Sequence, residues 1–152
     1  MEQIIINEKT FEKTKKAIDK NKNKTIIFTS INDNDELNKK VLEKLPINIL
    51  LLNQKNKKDF SKQRNSGLNQ VLAKIAKKNN IQIGINLDEI IESNKKEKQT
   101  ILARTKQNIK PCNKYKIQMK FISISQNHKK DIYDLKSLGL ILGMPTWMIK
   151  DL

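Results

Sequence analysis

The chain has 152 residues, and its 31 basic against 16 acidic residues give a formal net charge of +15. A chain of this length buries roughly 68–70% of its unfolded surface, so we expect a single domain over residues 1–152. The charge favours a polyanionic partner such as nucleic acid, with a membrane surface or an acidic protein as alternatives. A coding bias toward lysine is a further alternative, since only Arg64 and Arg104 are arginine.

Several classes of protein are excluded by what the chain carries. Cys112 is the only cysteine, so neither an intrachain disulfide nor a cysteine-based metal site can form, and a reducing, cytoplasmic setting fits. The longest apolar stretch, residues 47–52, is far too short to span a bilayer. Residues 1–6 lack both the basic opening and the long apolar region of a secretory signal. We therefore expect a cytoplasmic protein without a membrane partner.

Short, isoleucine-rich apolar runs alternate with longer polar segments, and each run has the length of a strand. The runs are Ile4–Ile6, Thr25–Thr29, Ile47–Leu52, Ile81–Ile85 and Ile117–Ser123. Strands that alternate with helices favour parallel pairing through right-handed crossovers. Five strands are too few for an eight-stranded barrel. The sequence therefore predicts an α/β fold with an open sheet or a partial barrel.

The segments between the first strands have the spacing of helices that cover a sheet. Phe11, Thr14 and Ile18 share one face of the first predicted helix. The second is predicted to begin at Asp33 or Asn34, whose side chains can accept backbone N–H groups, and to end before a proline at position 46.

The later helices have comparable boundary signals. Ser66 is a candidate N-cap for the third helix, and residues 79–80 are asparagines that tolerate left-handed geometry at its end. A fourth helix is predicted over about residues 95–109, with Pro111 just beyond it. The last is predicted over about residues 131–142, and Gly143 is positioned to end it.

Catalytic groups are scarce in the sequence. His128 is the sole histidine and lies in a polar stretch typical of a solvated loop. The glycines stand singly and match no phosphate-binding loop. Asp88 and Glu89 follow the fourth strand, where α/β folds often hold a site, although a helix cap or an ion pair is the ordinary explanation. We therefore predict neither catalytic residues nor a metal site in the protein.

Basic residues cluster after the third predicted strand and continue onto the next helix. The cluster comprises Lys55, Lys57, Lys58, Lys62, Arg64, Lys74, Lys77 and Lys78. Such a run is often only a solvated face, but several lysines near phosphates release counterions and give salt-sensitive affinity. The two arginines stand out because a planar guanidinium can grip a phosphate with two hydrogen bonds.

The aromatic residues do not form the interleaved platform that binds single strands. Phe11, Phe28 and Phe121 take core-like positions, and Phe60, Tyr115 and Tyr133 are scattered. We therefore expect recognition of folded RNA by shape and phosphate geometry, and not base-specific recognition.

Residues 65–83 carry the most specific motif. Asn65-Ser66-Gly67-Leu68-Asn69-Gln70-Val71-Leu72-Ala73-Lys74 resembles the segment S-G-[LI]-N-H-V-L-A-[KR] of the archaeal and eukaryotic ribonuclease P protein component 3 family. Residues 101–104 and 134–144 are similar to the family's next long helix and its final helix. Gln70 stands where the family has histidine, and residues 130–132 replace its Arg-x-Pro. Gln70 keeps hydrogen-bonding capacity but cannot titrate or bind metal as histidine does.

The resemblance implies a shortened or partial TIM-barrel-like architecture, related to the PHP phosphoesterase barrels but without their catalysis. It implies an RNA-binding protein subunit that assists the catalytic RNA of ribonuclease P in removing the 5′ leader of precursor tRNA. The implied partners are ribonuclease P RNA, precursor tRNA and a small ferredoxin-like protein subunit. No cofactor is expected in the protein itself, and Mg²⁺ is expected with the RNA subunit.

Within this interpretation, the basic residues predicted to contact RNA are Lys62, Arg64, Lys74, Arg104 and Lys130, and the motif residues are Ser66, Gly67, Asn69 and Gln70. The alternative is a small metal-dependent phosphoesterase on the same α/β framework, which would use Asp88 and Glu89. A third possibility is a protein adaptor whose charge follows from base composition alone.

Overall fold

The computed structural model describes residues 1–152 apart from the side chain of Asp33. The strands are β1 (Gln3–Glu8), β2 (Thr25–Ser30), β3 (Ile49–Leu52), β4 (Gln82–Asn86) and β5 (Met119–Ile122). The helices are α1 (Phe11–Asp19), α2 (Asp35–Lys44), α3 (Gln70–Lys78), α4 (Leu87–Glu92), α5 (Lys95–Lys114), α6 (Ile132–Leu142) and α7 (Thr146–Lys150). Short 3₁₀ turns lie at Ile31–Asp33 and Gln126–His128.

The strands form one parallel sheet in the order β1-β2-β3-β4-β5. Each strand pairs with the next along the chain, so successive right-handed crossovers place the connecting helices on the same face. This is the winding of a barrel wall, and β1 and β5 are its two edges. The predicted α/β fold with parallel strands is confirmed.

Apolar side chains occupy both faces of the sheet, which explains the nearly continuous apolar strands. Phe28, Leu50 and Ile83 are fully buried on the helix-covered face, within the larger core. Ile27 and Leu51 alternate with them and belong to a second, smaller cluster on the other face. The two clusters follow the two-residue period of a strand.

Gly84 in β4 lies at the centre of the smaller cluster. A Cβ atom at this position would lie 3.1 Å from Ile49 Cγ2, 3.1 Å from Leu51 Cδ1 and 3.2 Å from Ile122 Cγ1. Side chains from β3 and β5 therefore close over β4, as expected for a sheet that curls toward this face. A glycine is required here for space, since any side chain would displace its neighbours.

Most predicted helix ends are confirmed. The side chain of Asn34 accepts the N–H of Leu37 and caps α2, whereas the alternative cap Asp33 lies outside the described side chains. Gly143 ends α6 with a left-handed φ of 89°, and Asn80 follows α3 with a φ of 54°. These positive φ values are the ones that glycine and asparagine tolerate best.

Two predicted boundaries are wrong. Ser66 does not cap α3, because the side chain of Asn69 accepts the N–H of Leu72 at 2.9 Å and the helix begins at Gln70. Helix α5 does not end before Pro111 but continues to Lys114. A proline inside a helix costs roughly 3 kcal/mol, which burial of apolar side chains such as Cys112 in the same segment offsets.

Helices α4 and α7 were not predicted, since both are too short to show a helical period. Among the described residues, no helix has both the length and the apolar character needed to cross a bilayer.

Candidate nucleic-acid interface

The connection between β3 and α3, residues 53–69, carries the basic cluster and is named here the β3–α3 loop. It follows the carboxyl end of a parallel strand, the usual place for function in α/β proteins. Loops longer than roughly 12–15 residues without secondary structure are uncommon and are usually functional or disordered. This loop is held in place by hydrogen bonds from two neighbouring helices, which argues against disorder.

Arg104 of α5 is the main anchor of the β3–α3 loop. Its guanidinium donates to the carbonyl of Gln54 at 2.7 Å and to the carbonyl of Lys57 at 2.9 Å. It also donates to one carboxylate oxygen of Asp59, from Nε at 3.1 Å and from Nη2 at 3.0 Å. Because the side chain is only 5% exposed, these bonds are well shielded from water.

Other side chains fasten both ends of the loop. The carbonyl of Ser66 accepts the amides of Gln54 and Asn108, each at 2.9 Å. Glu89 of α4 accepts the N–H groups of Gln54 at 2.7 Å and Lys55 at 3.3 Å. Burial raises the pKa of the Glu89 carboxyl, although these hydrogen bonds and nearby lysines act in the opposite direction. The loop is therefore attached to α4 at its start and to α5 along its length.

Residues 59–65 form a closed tip on this loop, named here the tip loop. The carboxylate of Asp59 accepts the N–H of Asn65 at 2.9 Å and so joins the two ends of the tip. This hydrogen bond, helped by Arg104, lowers the pKa of the Asp59 carboxyl. Phe60, Lys62 and Arg64 are all exposed on the tip.

A cleft of about 620 Å³ opens between the tip loop and α5. Its lining includes the predicted Arg64 together with all four motif residues, Ser66, Gly67, Asn69 and Gln70. Helix α5 contributes Gln107, Lys110 and Lys114 on the opposite wall, and Phe60 also faces the cleft. Asp35 is an acidic residue of the same lining, and partial burial raises the pKa of its carboxyl. The cleft combines cations, amides and an aromatic ring.

The motif residues Ser66 and Gly67 shape the floor of the loop. Ser66 is buried, and Gly67 has a φ of 79°. A Cβ atom on Gly67 would lie 2.7 Å from Nζ of Lys57. Burial, assisted by the charge of Arg104, lowers the pKa of Lys57 to about 8, whereas Glu89 opposes this change. Glycine at this position therefore gives both the left-handed backbone and the space for the ammonium group.

The carboxyl ends of β2, β3 and β4 are joined by a chain of neutral side chains. Asn86 donates to Asn53 at 2.8 Å, and Asn53 donates to Thr29 at 2.9 Å. In α/β enzymes this edge commonly carries charged catalytic groups. Here hydroxyl and amide groups satisfy one another across the sheet, so the arrangement holds the strand ends together.

The carboxylates that the phosphoesterase alternative would use form structural hydrogen bonds. Asp88 accepts hydrogen bonds from Ser123 Oγ at 2.8 Å, Ile124 N at 2.8 Å and Ser125 N at 3.2 Å, and it lies 3.0 Å from Nδ1 of His128. Burial alone would raise the pKa of Asp88, but the hydrogen bonds outweigh it and lower the pKa. Among the described side chains, no three or more His, Cys, Asp or Glu residues are grouped so that they could hold a metal ion.

The predicted RNA contacts fall into different places. Lys62 and Arg64 are exposed on the tip loop, and Lys74 is exposed on α3. Lys130 is exposed beyond β5 and lines a separate cavity of about 480 Å³. Arg104 is 4% exposed and holds the loop from beneath, so the structure gives it a positioning role instead of the surface position that the prediction assumed.

Sequence reasoning missed the wall of the cleft that α5 supplies. Gln107, Lys110 and Lys114 follow at intervals of three and four residues and therefore share one helix face. The signal was present in the sequence, but the helix was predicted to stop at about residue 109. Phe60 was recognised only as a scattered aromatic.

A sequentially wound parallel sheet, with a cationic cleft beside its third strand, defines an α/β protein of barrel-like winding that is suited to an anionic ligand.

No protein-family model matches the chain. It is similar to Ribonuclease P protein component 3 of Methanococcus maripaludis strain C6, with 27% identity over 140 residues, which cover 92% of this chain and 56% of the relative. The protein of the same name from strain DSM 14266 is 28% identical over 140 residues, with the same coverage.

A solved structure shares the fold of this chain. A chain in the cryo-EM structure of archaeal Ribonuclease P with mature tRNA matches with a TM-score of 0.79 and 20% identity, over 97% of this chain and 62% of that one. The chain spans little more than half the length of the curated relatives it matches. The resemblance first noted in residues 65–83 is confirmed by these comparisons.

Proposed function

We propose that the chain is an RNA-binding protein subunit of ribonuclease P that assists the catalytic RNA in removing the 5′ leader of precursor tRNA. The observation that carries the proposal is the anchored β3–α3 loop. Arg104 fixes its backbone, so that Lys62 and Arg64 are displayed from a rigid tip beside the cations of α5. A rigid cationic surface loses little entropy when it binds a phosphate backbone of fixed shape.

The comparisons support this proposal from a separate direction. The curated relatives bear the name of a ribonuclease P protein component, and the solved structure contains archaeal ribonuclease P with mature tRNA. We accordingly propose ribonuclease P RNA and precursor tRNA as partners, together with a small ferredoxin-like protein subunit. The polypeptide supplies charge and shape, and Mg²⁺ acts with the RNA subunit. In this proposal Arg104 positions the loop, and Lys62, Arg64, Lys74 and Lys130 contact RNA.

The test is reconstituted cleavage of precursor tRNA at limiting Mg²⁺ with the double variant Arg64→Ala, Lys130→Ala. Both side chains are exposed, so the fold should be unchanged. We expect weaker RNA binding and slower cleavage, and the slope of log affinity against log salt should fall by roughly one for each lost phosphate contact.

The matched control is Lys13→Ala, Lys16→Ala on α1, which packs at the β1 edge of the sheet. It removes the same number of positive charges, two, from exposed positions. These positions lie at the edge of the sheet, away from β3 and β4. Equal losses of RNA binding and cleavage in both double variants would show that the effect comes from net charge alone. Cleavage that survives the Arg64 and Lys130 changes undiminished would remove those residues from the interface. Hydrolysis of RNA by the protein alone would favour the phosphoesterase alternative.

A further inference from the structure

Phe60 is displayed toward the cleft instead of being packed in a core. Its residue is 55% exposed, although it lines the same cleft as Arg64. The carboxylate of the preceding residue, Asp59, is held by Arg104 and by the N–H of Asn65, so the segment that carries the ring is anchored at its start. A single exposed apolar residue is ordinary on a protein surface. An aromatic ring on an anchored segment at the mouth of a cationic cleft is a stacking surface that needs little reordering to bind.

Cations line both walls of the cleft that Phe60 also lines. Arg64 lies on the tip loop, and Lys110 and Lys114 are four residues apart on the same face of α5. All three are exposed, and the acidic Asp35 only partly balances them. The remaining positive charge suits an anion such as a phosphate, which a guanidinium can bind through two hydrogen bonds.

Side-chain amides supply the third kind of group in the cleft. Gln63, Asn65 and Gln70 line it alongside the cations. An amide carries both a donor and an acceptor, which is what the edge of a nucleic-acid base requires. The volume of about 620 Å³ lies within the range of small-molecule pockets. Aromatic face, amides and cations are the three recognition groups that a single nucleotide needs.

We propose that this cleft binds one unpaired nucleotide of the RNA, with its base stacked on Phe60 and its phosphate held by Arg64, Lys110 and Lys114. The inference rests on the proposed function and specifies the part of the RNA that the cleft takes. A base inside a duplex has both faces covered by its neighbours, so only a bulged or terminal nucleotide can stack on the ring. Among the described residues that line the cleft, Phe60 is the one aromatic, which limits the site to one base instead of a run of single strand.

The test compares binding of two RNA hairpins that differ only by one bulged nucleotide, measured by fluorescence anisotropy in low-salt buffer. We expect the bulged hairpin to bind roughly five- to a hundredfold more tightly, as stacking of one base implies. Phe60→Leu should abolish this preference, because leucine keeps the apolar volume without the aromatic face. Phe60→Tyr should retain it. With 2-aminopurine at the bulge, binding should quench its fluorescence for the original chain and Phe60→Tyr but not for Phe60→Leu.

Val71→Ala is the matched control, since Val71 is also 55% exposed and apolar but does not line the cleft. This variant should keep the full preference for the bulged hairpin. If the original chain binds both hairpins equally, or if Phe60→Leu keeps the preference, the inference is overturned while RNA binding stands. If neither hairpin binds in low salt, the proposed function itself fails.

Discussion

Arg104 and Asp59 are joined across 45 residues of sequence by two hydrogen bonds to the same carboxylate oxygen, at 3.1 and 3.0 Å. The same guanidinium donates to the carbonyls of Gln54 and Lys57. One side chain therefore fixes three points of the β3–α3 loop. The planar fork of arginine makes this possible, because its donors point in several fixed directions within one plane.

Arg104→Lys should destabilise the protein, since a single ammonium group cannot reach the same acceptors and leaves buried carbonyls without donors. We expect the free energy of unfolding to fall by about 2–4 kcal/mol, measured by urea denaturation. The control is Arg64→Lys at the other arginine, which is exposed and should change stability by less than about 0.5 kcal/mol. Equal stability of the two variants would show that the buried hydrogen bonds contribute little.

Closure of the tip loop should depend on pH through Asp59. Its pKa is lowered chiefly by the N–H of Asn65 and further by Arg104, so the folded protein favours the carboxylate. The closed tip should therefore be fully stable above the pKa of an unfolded aspartate, about 3.9, and open as pH falls through the lower folded-state value. Amide exchange or the NMR shift of Asn65 reports this opening. Asp59→Asn keeps an acceptor oxygen, and the transition should disappear; a transition that persists would have to be assigned to another group.

The order of strands and helices could be predicted because the apolar pattern depends only on which faces are buried. The runs at residues 25–29 and 81–85, for example, correspond closely to β2 and β4. The cap of α3 could not be assigned in the same way, because Ser66 and Asn69 are both good N-caps locally. Tertiary contacts decided between them: the carbonyl of Ser66 accepts two side-chain amides, and Asn69 is left to cap the helix.

The candidate site was predicted only in part, for a similar reason. Arg64 and the motif residues could be found because they lie together in the sequence and share the cleft. Lys110 and Lys114 depended on the helix continuing past Pro111, which local propensity opposes and packing overrides. The chemistry of Arg104 makes it conspicuous in the sequence, but its burial depends on contacts with the β3–α3 loop that the sequence does not reveal. Its four hydrogen bonds became evident only in three dimensions.

Lys57 should make stability rise with pH in mildly alkaline solution. Its folded-state pKa of about 8 lies below the ordinary 10.5, so between these values the unfolded chain holds more protons. Lys57→Met should remove this rise and stabilise the protein below pH 8 by on the order of 1–3 kcal/mol, because a buried charge is lost. Buried Cys112, with a pKa raised to about 12, acts in the opposite direction above pH 9. The measurement is therefore the difference between the two proteins in urea denaturation at each pH. A constant difference from pH 7 to 10.5 would contradict the assignment.

Gly67→Ala should destabilise the β3–α3 loop for two reasons that a second glycine separates. Gly67 and Gly143 both have left-handed backbones, with φ of 79° and 89°. A Cβ atom on Gly67 would also meet Lys57 Nζ at 2.7 Å, whereas a Cβ atom on Gly143 has open space within 4 Å. Gly143→Ala should therefore cost only the backbone strain, about 1–2 kcal/mol, and Gly67→Ala should cost more unless the lysine moves. Thermal or urea unfolding measures both. If the two variants lose equal stability, the Lys57 side chain moves aside without cost. Gly67→Ala should then lose the same stability in the Lys57→Met background as in the original chain.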